Sequence, residues 1–112
     1  MKKQMKVTFK GIDHSDEIES ECIKHFAKIE QLTDRITSCH IVVSARQSDR
    51  SRNEFHNYHL TLHVPGTEIV VTHDAEEIHS KEDDHRALRD TFDRARHRLD
   101  EFMERRRERS RG

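Results

Sequence analysis

Ten histidines among 112 residues raise metal binding as the first chemistry to weigh. A zinc site needs Cys, His or carboxylate ligands converging on one point, usually at spacings such as CxxC or HExxH. Neither pattern occurs, and Cys22 and Cys39 stand apart. His59 and His63 share a face in a strand-like alternation, about 13 Å apart at ~3.3 Å per residue, and His56 points to the opposite face. The histidines are therefore expected as polar residues on a solvated sheet face, with no metal. Paired acids, Glu76-Glu77 and Asp83-Asp84, could serve acid–base catalysis, but acids at a helix start far more often cap it and complement its dipole. There is no GxSxG, no P-loop and no glycine-rich phosphate cradle, with three glycines in all. No catalytic residue, cofactor or small-molecule substrate is expected.

The basic residues carry more information. From residue 88 onward, Leu88, Phe92, Ala95, Leu99 and Phe102 recur at four, three, four and three, one apolar stripe on a long helix. With Leu88 at zero and ~100° per residue, Arg94, Arg98 and Arg105 fall along one flank of that stripe, at about 240–280°. Arg89 and Arg96 fall along the other, at about 80–100°, while Arg86 at about 160° sits among outer acids such as Asp90, Asp93, Asp100 and Glu101. On an earlier helix Lys24 and Lys28 occupy a flank of the stripe Ile18, Cys22, Phe26, Ile29. Two such helices side by side would form a groove rimmed by Lys24, Lys28 and arginines from one flank of the second helix. Flanking arginines also snorkel over the edge of any amphipathic helix, so the pattern alone does not prove a site. Aromatic residues are too few for single-strand base stacking, and backbone contact with folded RNA fits the groove better.

The elements that must position these residues are legible. Met5, Val7 and Phe9 alternate with polar residues and predict a strand that ends at Gly11. Ser15 is the expected N-cap of the first helix, with Asp16, Glu17 and Glu19 at its positive end and its close near residues 32–34. A second strand carries Cys39, Ile41, Val43 and Ala45 on one face, a polar loop covers residues 46–54, and a third strand carries Tyr58, Leu60, Leu62 and Val64. Pro65-Gly66 signals a tight turn into a fourth strand with Ile69 and Val71 inward. Antiparallel pairing then sets Leu62 against Ile69, Leu60 against Val71, Ile41 against Leu60 and Val43 against Tyr58. The last helix is expected from about Asp83 to Arg107. The order β-α-β-β-β-α predicts an α+β two-layer sandwich, a four-stranded mixed sheet with both helices side by side on one face and a right-handed first crossover.

Composition agrees with one domain: 31% hydrophobic residues at this length make a thin core in which nearly every aliphatic side chain must be buried. Residues 1–104 are expected as that domain and 105–112 as an arginine-rich tail. The longest apolar runs, Ile41-Val42-Val43 and Ile69-Val70-Val71, are far short of a membrane span, and residues 1–6 lead into no apolar signal region. A reduced, cytoplasmic protein without membrane contact is expected. The net charge of −1 hides segregation, with four lysines and no acid in residues 1–10 and five arginines in residues 105–111.

Lys6-Val7-Thr8-Phe9-Lys10-Gly11, the segment 26–34, Tyr58 to Val71 with its Pro65-Gly66 turn, and Glu82-Asp83 before a long amphipathic helix together resemble the ribosome hibernation promoting factor family, also called ribosome-associated inhibitor A or ribosomal subunit interface protein. The resemblance runs from about residue 4 to 102. It implies the same fold and binding to rRNA of the small ribosomal subunit at the decoding region, where a stress-induced factor blocks translation and preserves idle ribosomes. Lys28 matches a family lysine that faces rRNA, and Arg94 a recurrent basic position. His97 stands where many members carry arginine or lysine, and Glu101 where lysine is usual. No second domain is expected after Gly112, so the chain resembles the short form, expected as a monomer away from the ribosome. The expected RNA-binding set is Lys24, Lys28, Arg89, Arg94, Arg96, Arg98 and Arg105. Two other classes compete with this one: a generic double-stranded-RNA-binding domain, and a protein–protein module acting through the acidic first helix and the open sheet face.

Overall fold

The computed structural model describes residues 4–45, 56–73 and 81–111. The expected loop over 46–54 and the Glu76-Glu77 pair lie outside them. Four strands, β1 (Gln4–Lys10), β2 (Ser38–Ala45), β3 (His56–Val64) and β4 (Thr67–His73), form one sheet in the order β1-β2-β3-β4. β1 and β2 are parallel and the other two pairs antiparallel. Helix α1 (Asp16–Glu30) makes the crossover, and α2 (Lys81–Arg111) follows β4.

Each predicted pairing is present: Ile41 faces Leu60, Val43 faces Tyr58, Leu62 faces Ile69 and Leu60 faces Val71. Register is this sharp because a one-residue slip would carry the whole apolar set to the solvent face. The Pro65-Gly66 turn closes the β3–β4 hairpin in two residues, with Gly66 at φ +97°, a conformation that a Cβ penalises.

Ser15 caps α1, its hydroxyl accepting from the Ile18 N–H at 3.2 Å. The helix stops at Glu30, slightly earlier than the spacing predicts. Ile18, Cys22, Phe26 and Ile29 are buried, and with Leu88, Phe92, Ala95 and Leu99 of α2 they pack on the inner sheet face. Burial pushes both thiols, Cys22 and Cys39, up to about 12, so neither is reactive in the fold.

Helix α2 is longer than expected at both ends. At 31 residues it measures about 46 Å at ~1.5 Å per residue, so it sets the long axis of a molecule 55 × 28 × 19 Å in extent. The arginine-rich segment continues the helix to Arg111. At the other end Asp84 is not a solvent-facing cap. It is buried, and the reason is three donors: the His56 backbone N–H gives to Oδ1 at 3.1 Å, the His56 ring Nδ1 lies 2.9 Å from Oδ2, and the Tyr58 hydroxyl gives to Oδ2 at 3.0 Å. A carboxylate only accepts, so the ring proton sits on Nδ1. Burial, then the Asp84 charge and hydrogen bond, drive the Tyr58 phenol well above its usual range, so it stays a donor.

Candidate functional site

The two helices pack side by side, with the His25 ring stacked on Phe92 at 5.7 Å between centroids. Above that contact runs an open groove. From α1 it is lined by Glu21, Lys24, His25 and Lys28, and from α2 by Glu82, His85, Arg86 and Arg89. Helical periodicity explains the α1 side: positions 21, 25 and 28 repeat at four and three beside the buried stripe, and Lys24 extends the rim outward.

Sequence reasoning expects the groove, with Lys24 and Lys28 on one rim and the flank of Arg94, Arg98 and Arg105 on the other, and puts Arg89 and Arg96 on the far flank. The flank that meets α1 is that of Arg89, and Arg96 follows two turns later on the same side. Arg86, expected among the outer acids, lines the groove instead. The opposite flank, expected to share the groove in the case of Arg94, Arg98 and Arg105, runs along β4. Arg98 donates to the carbonyl of Val70 there, and Arg94 pairs with Asp90 on its own helix at 3.0 Å. A helical wheel gives two flanks and cannot say which neighbour lies beyond each; the topology does that by placing α1 on the β1 side of the sheet and α2 over β3 and β4.

Charge in the groove is mixed. Lys24 lies 3.8 Å from Glu21, and His25 Nε2 lies 3.5 Å from the same carboxylate. His25 was expected on a solvated surface and is buried, its one signal being the spacing of three from Cys22. Burial lowers its pKa; Glu21 and Asp93 pull it back up, while Lys28 and Lys24 lower it further. At neutral pH the ring is uncharged, and the groove's positive charge comes from Lys24, Lys28, Arg86 and Arg89. His97, on the outer side of α2, lies 3.9 Å from Glu101.

The outer sheet face holds His40, His59 and His63, as the alternation predicts. His40 is hydrogen-bonded to Thr8 Oγ1 at 2.8 Å and His59 to Thr72 Oγ1 at 3.0 Å. Partial burial, and then Lys6 and His59, lower the His40 pKa. Among the described residues one group, His14, Asp16 and Glu19, brings three potential metal ligands close together, on an exposed surface where the acids already partner the histidine. No helix among the described residues is long and apolar enough to cross a membrane.

The class this defines is an α+β domain, a mixed four-stranded sheet backed on one face by two helices that share a basic groove. Residues 5–107 match the family described as Sigma 54 modulation protein / S30EA ribosomal protein, and the chain belongs to that family. Membership makes it a ribosome-associated protein of the subunit-interface and hibernation kind, a translation regulator and not an enzyme. Two solved structures share the fold. A ribosomal subunit interface protein from Coxiella burnetii is 15% identical at a TM-score of 0.69, covering 89% of this chain and 97% of its own. The N-terminal domain of Protein Y from Thermus thermophilus is 16% identical at a TM-score of 0.67, covering 90% and 99%. No curated protein matches the chain by sequence.

Proposed function

We propose that this protein binds rRNA of the small ribosomal subunit near the decoding region under stress, and silences translation by occupying the subunit interface. The observation that carries the proposal is the α1–α2 groove, where Lys24, Lys28, Arg86 and Arg89 converge from two helices along a track open to solvent. Four cations against the two acids Glu21 and Glu82 leave the groove net positive, which suits a phosphate backbone rather than base edges. Arg96 extends the track, and Arg94, Arg98 and Arg105 form a separate basic line on the β4 side. That the Coxiella burnetii relative is a ribosomal subunit interface protein supports the same location. In this proposal the protein acts in the cytoplasm as a monomer when off the ribosome, with residues 1–104 as the binding domain.

Co-sedimentation with purified small subunits tests it. Affinity should fall steeply with salt, and five phosphate contacts correspond to a log–log slope of roughly −4. A slope near zero removes the electrostatic mechanism. Equal binding to an isolated RNA duplex makes the protein a general duplex binder instead.

A further inference from the structure

A second cavity, of about 250 Å³, lies at the other end of α2 and plays no part in the groove. Its floor is apolar. Val64 and Leu99 are buried beneath it, and Pro65, Phe102 and Met103 line its walls. Its rim is cationic: Arg35 from the segment after α1, and Arg106 and Arg107 from α2. Among the described residues no carboxylate lines it.

One arginine of the rim, Arg106, is fixed by contacts of its guanidinium, and the backbone that carries Arg35 is fixed by a local turn. Arg106 Nη1 donates to the Pro65 carbonyl at 3.3 Å, and its guanidinium stands over the Phe102 ring at 5.6 Å from the centroid. Gly66 makes this approach possible, since a Cβ there would collide with Arg106 and press on Phe102. On the other side the Arg35 N–H donates to Thr33 Oγ1 at 3.1 Å, closing a local turn. Thr37 then ties the same segment to the His63 carbonyl through both its N–H and its hydroxyl.

Three guanidinium groups around one apolar cavity define the ligand by chemistry. Guanidinium forks match planar or tetrahedral oxyanions, and three together suit a phosphate better than the single charge of a carboxylate. The floor requires that the anion carry a flat apolar body. The volume is just below the ~300–1,000 Å³ of sites that enclose drug-sized molecules, so the occupant is about one ring system. We propose that this cavity is a nucleotide pocket, with the base against Phe102 and Met103 and the phosphate among Arg35, Arg106 and Arg107. An unpaired nucleotide of rRNA and a free nucleotide present the same chemistry. The first source rests on the function proposed above, and the second stands without it.

The test uses the full chain, labelled at the methionine methyl groups, titrated with adenosine 5′-monophosphate and followed by NMR. The Met103 methyl should shift saturably and that of Met5 should not. Adenosine alone and inorganic phosphate alone should each bind at least tenfold more weakly. The double variant Arg35→Ser, Arg107→Ser should lose at least tenfold in affinity for the nucleotide without a change in melting temperature, since both side chains are exposed. Lys28→Glu, in the groove, should leave nucleotide binding unchanged, which separates this site from the proposed ribosome contact. If the arginine double variant also weakens small-subunit binding, the nucleotide belongs to rRNA; if subunit binding is unaffected, the pocket serves a free nucleotide. Phosphate binding as tightly as the nucleotide would reduce the site to an anion patch, and an Asp-Phe-Asp peptide outcompeting the nucleotide would make it a peptide site. Either result overturns the proposal.

Discussion

The two ends of α2 bear similar residues and do different things with them. Near the N-terminal end, arginines interleave with acids and histidines and face a second helix across a polar groove; a buried carboxylate, Asp84, fastens the helix to β3 beneath. Near the C-terminal end, Arg35, Arg106 and Arg107 rim an apolar floor that includes Val64, Leu99, Phe102 and Met103, with no acid among the described residues that line it, and Arg106 adds an exposed contact to Pro65. A buried polar anchor therefore marks the first end, and an apolar cavity with a cationic rim marks the second. The lesson is that an arginine-rich amphipathic helix acquires its local roles from what the fold places beside each turn.

The largest effect expected from this contrast is on stability. Asp84→Ala strips the buried His56 and Tyr58 donors of their acceptor and should cost about 3 kcal/mol in urea denaturation, with Tyr58→Phe costing about 1 kcal/mol as the partial version. Arg106→Ala, whose carbonyl contact is exposed, should cost less than ~0.5 kcal/mol. Equal losses at the two ends would erase the distinction.

Next comes charge reversal in and out of the groove. Lys28→Glu and Arg86→Glu should each weaken small-subunit binding about tenfold, or ~1.4 kcal/mol, and reduce the salt slope by about one. Arg94→Glu, outside the groove and beside Asp90, should do less. The wheel alone ranks Arg86 below Arg94, so this ordering measures what the tertiary structure added. If Arg94→Glu has the larger effect, the β4 side and not the groove meets the RNA.

Gly66→Ala should cost about 1 kcal/mol by forcing a Cβ onto a positive φ, and should push Arg106 off the turn. A thermal melt reads the first consequence, and the Met103 methyl resonance the second. Groove binding should be untouched.

The smallest effect concerns pH. His25 has a folded pKa below its unfolded value, so the unfolded chain takes up the proton first as pH falls. The stability that burying neutral His25 contributes is present above about pH 6.5 and declines as pH drops toward the folded value. His25→Gln should flatten that slope in melts between about pH 7.5 and 5.5. Lys28 is one of the charges that depress His25, so Lys28→Glu should raise the histidine's titration midpoint, followed by its ring proton shifts.

Much of the fold was written locally. The alternation of Met5, Val7 and Phe9, the Ser15 cap, the Pro65-Gly66 turn and the stripes of both helices each depend on residues a few positions apart, and periods of two and 3.6 state which side of an element must be dry. Even the register followed, because one dry face across three strands admits one alignment. Lys24 and Lys28 were legible as groove candidates for the same reason, whereas Arg89 was legible as an exposed basic position but not as part of the groove. Neither was Arg86, since a wheel places it by its own helix and ignores how α1 leans toward it. His25 and Asp84 were hidden more deeply, because polar residues default to solvent unless a partner distant in sequence satisfies them.

Sequence by itself thus determined the elements, their buried faces and the strand pairing, all consequences of short-range periodicity and turn chemistry. Tertiary structure alone decided which flank of α2 meets α1 and that Asp84 would be buried among His56 and Tyr58. It also decided that Arg35, separated from Arg106 by 71 positions in the chain, would share a cavity with it. Those are encounters between distant segments, and their energies depend on distances that no local pattern encodes.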